Sequence, residues 1–264
     1  MTKNLIFQVD AFTGQLFKGN PAAVVPLESW LPDEVMQSIA AENNLSETAF
    51  FVKNGSTFGL RWFTPTIEVD FCGHATLATS HILFTEWGGT EATLEFNTRI
   101  GKLKVSQAGK NTYLMDFPAD ELSLMKASPE LEKAIGIPAL EAFSGREDII
   151  YVVASQELVE QVSPDFRALG LVSGRGVLVT AAGKDCDFVS RCFFPNAGVD
   201  EDPVTGSAHT TLTPYWAKKL NKSKLTARQI SKRGGFLECE LSEDKKKVLI
   251  TGMAVTYLKG EYYL

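Results

Sequence analysis

At 264 residues, with 44% hydrophobic and 22% charged side chains, the chain has the composition of a globular protein, long enough for one large domain or two of about 130 residues. A net charge of −6 and the lack of a long basic block argue against nucleic acid or an anionic membrane as its main partner. No run approaches the roughly 20 apolar residues that span a bilayer, and residues 1–7 carry neither the apolar core nor the cleavage site of a signal peptide, so a cytoplasmic protein is expected.

In chain order, residues 5–12 read as a strand. Thr13-Gly14 and Lys18-Gly19-Asn20-Pro21 read as turns, and residues 22–26 as a short apolar strand. Helical spacing over residues 33–42 places Met36, Ile39 and Ala40 on one face, and Asn43-Asn44 ends the run. Residues 48–53 and 58–63, rich in β-branched and aromatic side chains, are two strands. Residues 75–87 form a nearly all-apolar helix stopped by Gly88-Gly89; such a helix should be buried. Three strands follow at 92–96, 101–106 and 112–117. Pro118-Ala119-Asp120 breaks the pattern and divides an amino-terminal half, 1–117, from a carboxy-terminal half, 118–264.

The second half opens with a polar helix over 129–135. Strands follow near 149–154, 176–181 and 188–194, then a second apolar helix over 208–220. Further strands lie at 236–241, 247–251 and 254–258. Helices do not alternate one-for-one with strands, so the class is α+β, not a doubly wound parallel sheet.

One segment is used twice. Arg61-Trp62-Phe63-Thr64-Pro65 returns 130 residues later as Arg191-Cys192-Phe193-Phe194-Pro195. Each copy runs into a glycine-led apolar helix, at Cys72-Gly73-His74 and at Thr205-Gly206-Ser207. The repeat points to two similar halves.

The glycine-led helix starts are candidate anion sites. The first N–H groups of a helix lack internal partners and carry the positive dipole end, and glycine allows close approach of a carboxylate or phosphate. His74 lies at the first start, where the dipole should lower its pKa and favour a neutral, proton-accepting imidazole. His81, inside the apolar helix, reads as a core histidine, and His209 lies one turn into the second helix. Three scattered histidines do not match metal-ligand spacing, so no metal is predicted.

Asp200-Glu201-Asp202, just before the second helix, could raise one another's pKa and supply a neutral acid, although capping alone would account for one or two of these residues. Glu47 stands at the entry of an apolar strand, either as an edge residue in water or as a buried carboxyl. Of the four cysteines, Cys186, Cys192 and Cys239 read as small core residues. Cys72 precedes a helix start, and its simplest reading is likewise a small buried residue. Together a carboxylate, a second acid, a histidine and two anion-binding helix ends suit proton transfer next to a carboxylate-bearing carbon. Without a nucleophile elbow, a Ser207–His74–Asp202 hydrolase triad is disfavoured.

Gly19-Asn20-Pro21-Ala22-Ala23-Val24, Asn44-Leu45-Ser46-Glu47-Thr48-Ala49-Phe50, Cys72-Gly73-His74-Ala75-Thr76 and Glu201-Asp202-Pro203-Val204-Thr205-Gly206-Ser207-Ala208 resemble, in order, the motifs of the PhzF (phenazine biosynthesis-like) family. Gln229-Ile230-Ser231-Lys232-Arg233-Gly234-Gly235 extends the likeness. The resemblance implies a diaminopimelate epimerase-like fold of two pseudo-symmetric halves. Each half is a sheet wrapped around a central helix, the active site lies in the cleft between them, and the last strand, near 254–264, can return to the first half. It implies a homodimer and a cofactor-free isomerase, similar to the one acting on trans-2,3-dihydro-3-hydroxyanthranilate. Glu47 would take the proton from carbon. Asp202, His74 and Ser207 would assist, and the backbone at Gly73 and Gly206 would hold the substrate carboxylate. Phe12, Asn20 and Arg233 are each read two ways, as cleft-lining or as structural residues.

Two alternatives remain open: an epimerase or racemase of the same fold, and a non-catalytic binding or scaffold protein. Two-base epimerases of this fold place a cysteine at each helix start. Here Thr205 occupies the second position, and its hydroxyl is too weak an acid to serve.

Overall fold

The computed structural model describes residues 2–87, 92–171 and 174–264. The chain forms two compact units, Met1–Asp116 with Thr251–Leu264, and Phe117–Ile250.

The first unit opens with β1 (Lys3–Ala11) and β2 (Asn20–Leu27), followed by α1 (Asp33–Asn43), β3 (Glu47–Asn54), β4 (Thr57–Phe63), β5 (Glu68–Val69) and α2 (Gly73–Thr85). It continues with β6 (Thr93–Thr98), β7 (Gly101–Gly109) and β8 (Thr112–Pro118). Asn20 and Pro21, expected in a turn, are instead the first residues of β2. The turn is confined to the preceding residues, where Gly19 adopts φ +66° and a Cβ would lie 2.1 Å from the Ala11 carbonyl oxygen; only glycine fits. β1 and β2 pair antiparallel, whereas β2 and β3 pair parallel with α1 as the crossover. This topology sets Asn20 and Glu47 at the same end of adjacent strands. Asn44 ends α1 in the left-handed conformation, and Met36, Ile39 and Ala40 pack with Val25, Phe50 and Phe63.

Every residue of α2 from Gly73 to Leu83 is buried, although Thr76, Thr79 and Ser80 are polar. Their hydroxyls donate back to the carbonyls of Cys72, Ala75 and Thr76 at 2.6–2.8 Å, so no donor is lost to the interior. His81 bridges the Tyr113 hydroxyl and Thr256 Oγ1, both at 2.9 Å, and burial pushes its pKa down to about 4. It is a neutral core histidine. The expected stop at Gly88-Gly89 lies outside the described residues, and α2 itself ends at Thr85.

The second unit contains β9 (Ser123–Met125), α3 (Pro129–Ile135), β10 (Glu141–Ser144), β11 (Asp148–Val152), α4 (Gln156–Gln161), α5 (Phe166–Leu169) and β12 (Gly176–Ala182). These are followed by β13 (Phe188–Phe194), β14 (Val199–Asp202), α6 (Gly206–Leu220), β15 (Lys224–Gln229) and β16 (Gly235–Leu241). Its core gathers Leu131, Tyr151, Val159, Val179 and Phe193. Pro214 sits inside α6 and cannot donate to the carbonyl four residues back; the Asp120 N–H fills that place, donating to the Thr210 oxygen at 3.1 Å.

The last element, β17 (Lys247–Tyr263), is one strand where the sequence pattern suggested two. It pairs antiparallel with β1 from Lys3↔Tyr263 to Ala11↔Ala254. At the expected break stands Gly252, where a Cβ would meet the Phe12 ring at 2.5 Å. Phe12 itself is fully buried core. Cys192 and Cys239 are buried, but Cys186 lies in the bend before β13, only half-buried, donating to the Phe188 carbonyl oxygen. No helix among the described residues is long and apolar enough to cross a membrane.

Candidate active site

The duplicated Arg-x-Phe motif builds the same device in each unit. Arg61 on β4 grips Glu68 on β5 with two bonds of 2.7 Å and stacks on Phe63 at 5.2 Å. Arg191 on β13 grips Glu201 on β14 at 2.7 and 2.9 Å and stacks on Phe193 at 5.1 Å. A planar guanidinium makes both contacts at once. Each clamp fixes the short strand that leads into a buried helix. Glu201 is thereby tied to Arg191, Asp200 is exposed, and alternation along β14 turns Glu201 away from Asp202.

The amino ends of α2 and α6 have no side-chain cap. By contrast, Ser128, Ser155 and Asp165 cap α3, α4 and α5. The helices start at Gly73 and Gly206, which puts His74 and Ser207 in their first turns.

In the first unit, Glu47, Cys72 and His74 come together, with ligand-capable atoms within 4.8 Å of one another. His74 Nε2 lies 3.1 Å from Glu47 Oε2, near enough for an ion pair but not aligned as a hydrogen bond; both atoms are buried and without a hydrogen-bond partner. On the other side of the ring, Nδ1 is 3.2 Å from Asn20 Nδ2 and 3.5 Å from Cys72 Sγ. A neutral imidazole accepts from that amide nitrogen, while a charged one requires the amide turned to present its oxygen.

His74 was expected neutral on the strength of the helix dipole, but its neighbours act in the opposite direction. Burial does push its pKa down, but Cys72 and Glu47 beside it outweigh burial and hold it well above its ordinary value. Glu47 is the effective partner. Burial, with the Glu47 charge adding to it, pushes the Cys72 thiol up to about 11, so near neutrality the sulfur carries no charge. An adjacent carboxylate acts at shorter range than a helix dipole spread over several peptide groups. Glu47 is neither a water-exposed edge residue nor an isolated buried carboxyl: it is 18% exposed and paired.

In the second unit, Asp202 Oδ2 accepts from Thr205 Oγ1 at 2.5 Å. Gln229, fully buried on β15, holds this corner, accepting from the Thr205 N–H at 2.8 Å and donating to the Asp202 carbonyl at 2.7 Å. Ser207 Oγ accepts from Arg175 at 3.3 Å, and Arg175 makes two bonds of 3.0 and 2.6 Å to buried Asp148. Burial, working against Arg175, raises the Asp148 pKa. His209 Nδ1 lies 2.8 Å from the Thr205 carbonyl, and burial lowers its pKa to about 4; it is a neutral core histidine. Arg175 and Asp148 were not singled out from the sequence, and Gln229 was quoted only as the first residue of a motif without a role, because the sequence gives no spacing signal for contacts between distant segments.

The model for the phenazine biosynthesis-like protein family, PhzC-PhzF, matches residues 9–260. An uncharacterized isomerase of Pseudomonas aeruginosa is 49% identical over 97% of this chain and 97% of its own length. The crystal structure of a phenazine biosynthesis protein PhzF family member from Enterococcus faecalis is 50% identical, covers 100% of both chains and superimposes with a TM-score of 0.96. A hydroxyproline epimerase from Agrobacterium vitis is only 12% identical, with a TM-score of 0.62 over 99% of this chain and 91% of its own, a likeness of fold alone. With the family model spanning nearly the whole sequence and the Glu47 and His74 motifs inside it, the chain belongs to the phenazine biosynthesis-like (PhzF) family.

Proposed function

We propose that the protein is an isomerase that moves a proton on a small carboxylate-bearing metabolite by acid–base catalysis, without a cofactor. The observation that carries this reading is the Glu47–His74 pair, two buried polar atoms 3.1 Å apart that face each other without an aligned hydrogen bond. Glu47 is the candidate acceptor of a proton from carbon, with the His74 ring beside it to pass the proton on. The electron pair left behind is delocalised into the substrate's conjugated system, and the proton is returned at a second carbon, so substrate and product have the same composition. The isomerase name of the 49% identical relative supports the class. The uncapped starts at Gly73 and Gly206 suit a substrate carboxylate. Asp202 and Ser207 are the assisting acid and hydroxyl, each held by a neighbour, Gln229 and Arg175. In this reading each half wraps its sheet around its buried helix, α2 or α6.

An epimerase or racemase is the second reading, favoured by the fold shared with a hydroxyproline epimerase. The Cys72 thiol at about 11 and the Thr205 hydroxyl at the second helix start weigh against a two-thiol mechanism. Proton NMR in D₂O, with trans-2,3-dihydro-3-hydroxyanthranilate as first substrate, separates the options. Wild type should convert it with deuterium uptake, and Glu47→Gln should not. If that substrate is inert, a panel of small carboxylates is followed for exchange; no exchange with any of them refutes the enzyme reading in favour of a scaffold. Loss of optical activity from a single enantiomer would favour the epimerase.

A further inference from the structure

We propose that Glu47, Cys72 and His74 form a binding site for a zinc-class divalent cation, and that the cation inhibits the protein by occupying its proton-transfer pair. One carboxylate, one thiol and one imidazole are a borderline-to-soft donor set, which suits Zn²⁺ far better than Mg²⁺ or Ca²⁺. Their ligand atoms lie within 4.8 Å of one another. Two nitrogen or oxygen ligands on a tetrahedral zinc, at bonds of about 2.0–2.1 Å, stand roughly 3.3 Å apart; His74 Nε2 and Glu47 Oε2 are 3.1 Å apart. Cys72 Sγ lies nearer the other ring nitrogen, 3.5 Å from Nδ1, so it joins a cation held at Nε2 only by turning about its one side-chain torsion toward that edge of the ring.

The second observation is independent of donor type. His74 is 5% exposed, and its Nε2 and the facing Glu47 oxygen have no hydrogen-bond partner. Buried polar atoms in that condition are costly, and a cation between them satisfies both. The Glu47 side chain, 18% exposed, provides the entry side. Binding forms three metal–ligand bonds and releases the thiol proton, with any proton on the coordinating imidazole nitrogen, to solvent. The fourth tetrahedral position stays open to water.

Binding follows from the cluster alone; inhibition also rests on the isomerase reading, and the two are tested separately. The full chain is titrated with CoCl₂, which reports a thiolate ligand as a charge-transfer band in the near ultraviolet. Wild type should show the band, ZnCl₂ should displace it, and Cys186→Ser should keep it. Cys72→Ser should lose it. Because loss of an outer-shell partner already costs about 10–100-fold in affinity, His74→Gln and Glu47→Gln should each weaken Co²⁺ binding by at least about tenfold. Near-ultraviolet circular dichroism confirms that each variant is folded, and the two ligand variants decide the matter if Cys72→Ser is not. Absence of the band in folded wild type, or its survival in Cys72→Ser, overturns the site. Turnover unchanged at saturating ZnCl₂ overturns the inhibition. A protein that binds Co²⁺ through Cys72 but turns over no substrate keeps the site and loses the isomerase reading.

Discussion

Replacing Glu47 with glutamine should remove the charge that keeps His74 protonated, and the loss should appear as a pH-dependent change in stability. At the 3.1 Å separation of Nε2 and Oε2, an effective dielectric of about 20 gives a gross attraction of about 5 kcal/mol. Part of this is offset by the desolvation of two charges. In the variant the imidazole can shed its proton, which caps the loss, so a net destabilisation of about 2–3 kcal/mol is expected near pH 6. His74 is a base whose folded-state pKa lies above its unfolded value of about 6.5. Its contribution is therefore complete below about pH 6.5 and disappears as pH rises through the folded-state value. Urea unfolding of both proteins at a series of pH values should show the difference shrinking steadily from pH 6.5 upward. NMR of the His74 ring should show a titration above the ordinary value in wild type and a lower one in Glu47→Gln, where the carboxylate no longer opposes burial. A gap between the proteins that does not change with pH, or a wild-type His74 titrating at or below 6.5, would refute the ion-pair account.

Arg191→Met strands the Glu201 carboxylate and the Val162 carbonyl to which Arg191 donates at 2.6 Å. It should cost about 3–5 kcal/mol in urea unfolding, and Arg191→Lys should recover only part because an ammonium cannot make the two-pronged contact. Gln229→Ala removes the bonds to the Thr205 N–H and the Asp202 carbonyl; a loss of about 2–3 kcal/mol is expected, together with lower turnover if Asp202 serves the reaction. His209 and His81 have folded pKa values of about 4, below the unfolded 6.5, so each favours the fold fully above about pH 6.5 and less as pH falls toward 4. At about 1.36 kcal/mol per pKa unit each accounts for on the order of 3 kcal/mol of acid destabilisation, and His209→Gln should flatten that part of the stability profile.

α2 was legible because burial on all sides from Gly73 to Leu83 removes polar periodicity, leaving a long run that no strand would need, whereas α6 buries one broad face and exposes residues 218–220. Their true starts, at Gly73 and Gly206, fall ahead of the apolar runs, because a first helical turn is identified by its unpaired N–H groups and not by hydropathy. Short strands such as β9, β10 and β14 carry too few residues to establish a period. The charge of His74 was misread for a different reason. The local chain supplies only the helix dipole, whereas the decisive carboxylate comes from β3, 27 residues earlier. The Arg175–Asp148–Ser207 contacts join a connecting segment, a strand and a helix, and the Arg61–Glu68 and Arg191–Glu201 clamps hid in a repeat whose arginines were seen before their partners were known.

The long strand β17 also bears on how the protein is made. β1 finds one hydrogen-bonding neighbour in β2, a few residues away, but the other lies along residues 254–263, some 250 residues later. A ribosome releases the chain in order, so the 117–250 unit is fully synthesised before the first unit can receive its last strand. The part of the molecule that emerges first is thus the part completed last. Until then one edge of β1 is an unpaired template, and a released chain truncated just after residue 250 should show a folded second unit attached to a first unit that is open to proteolysis and to chaperones.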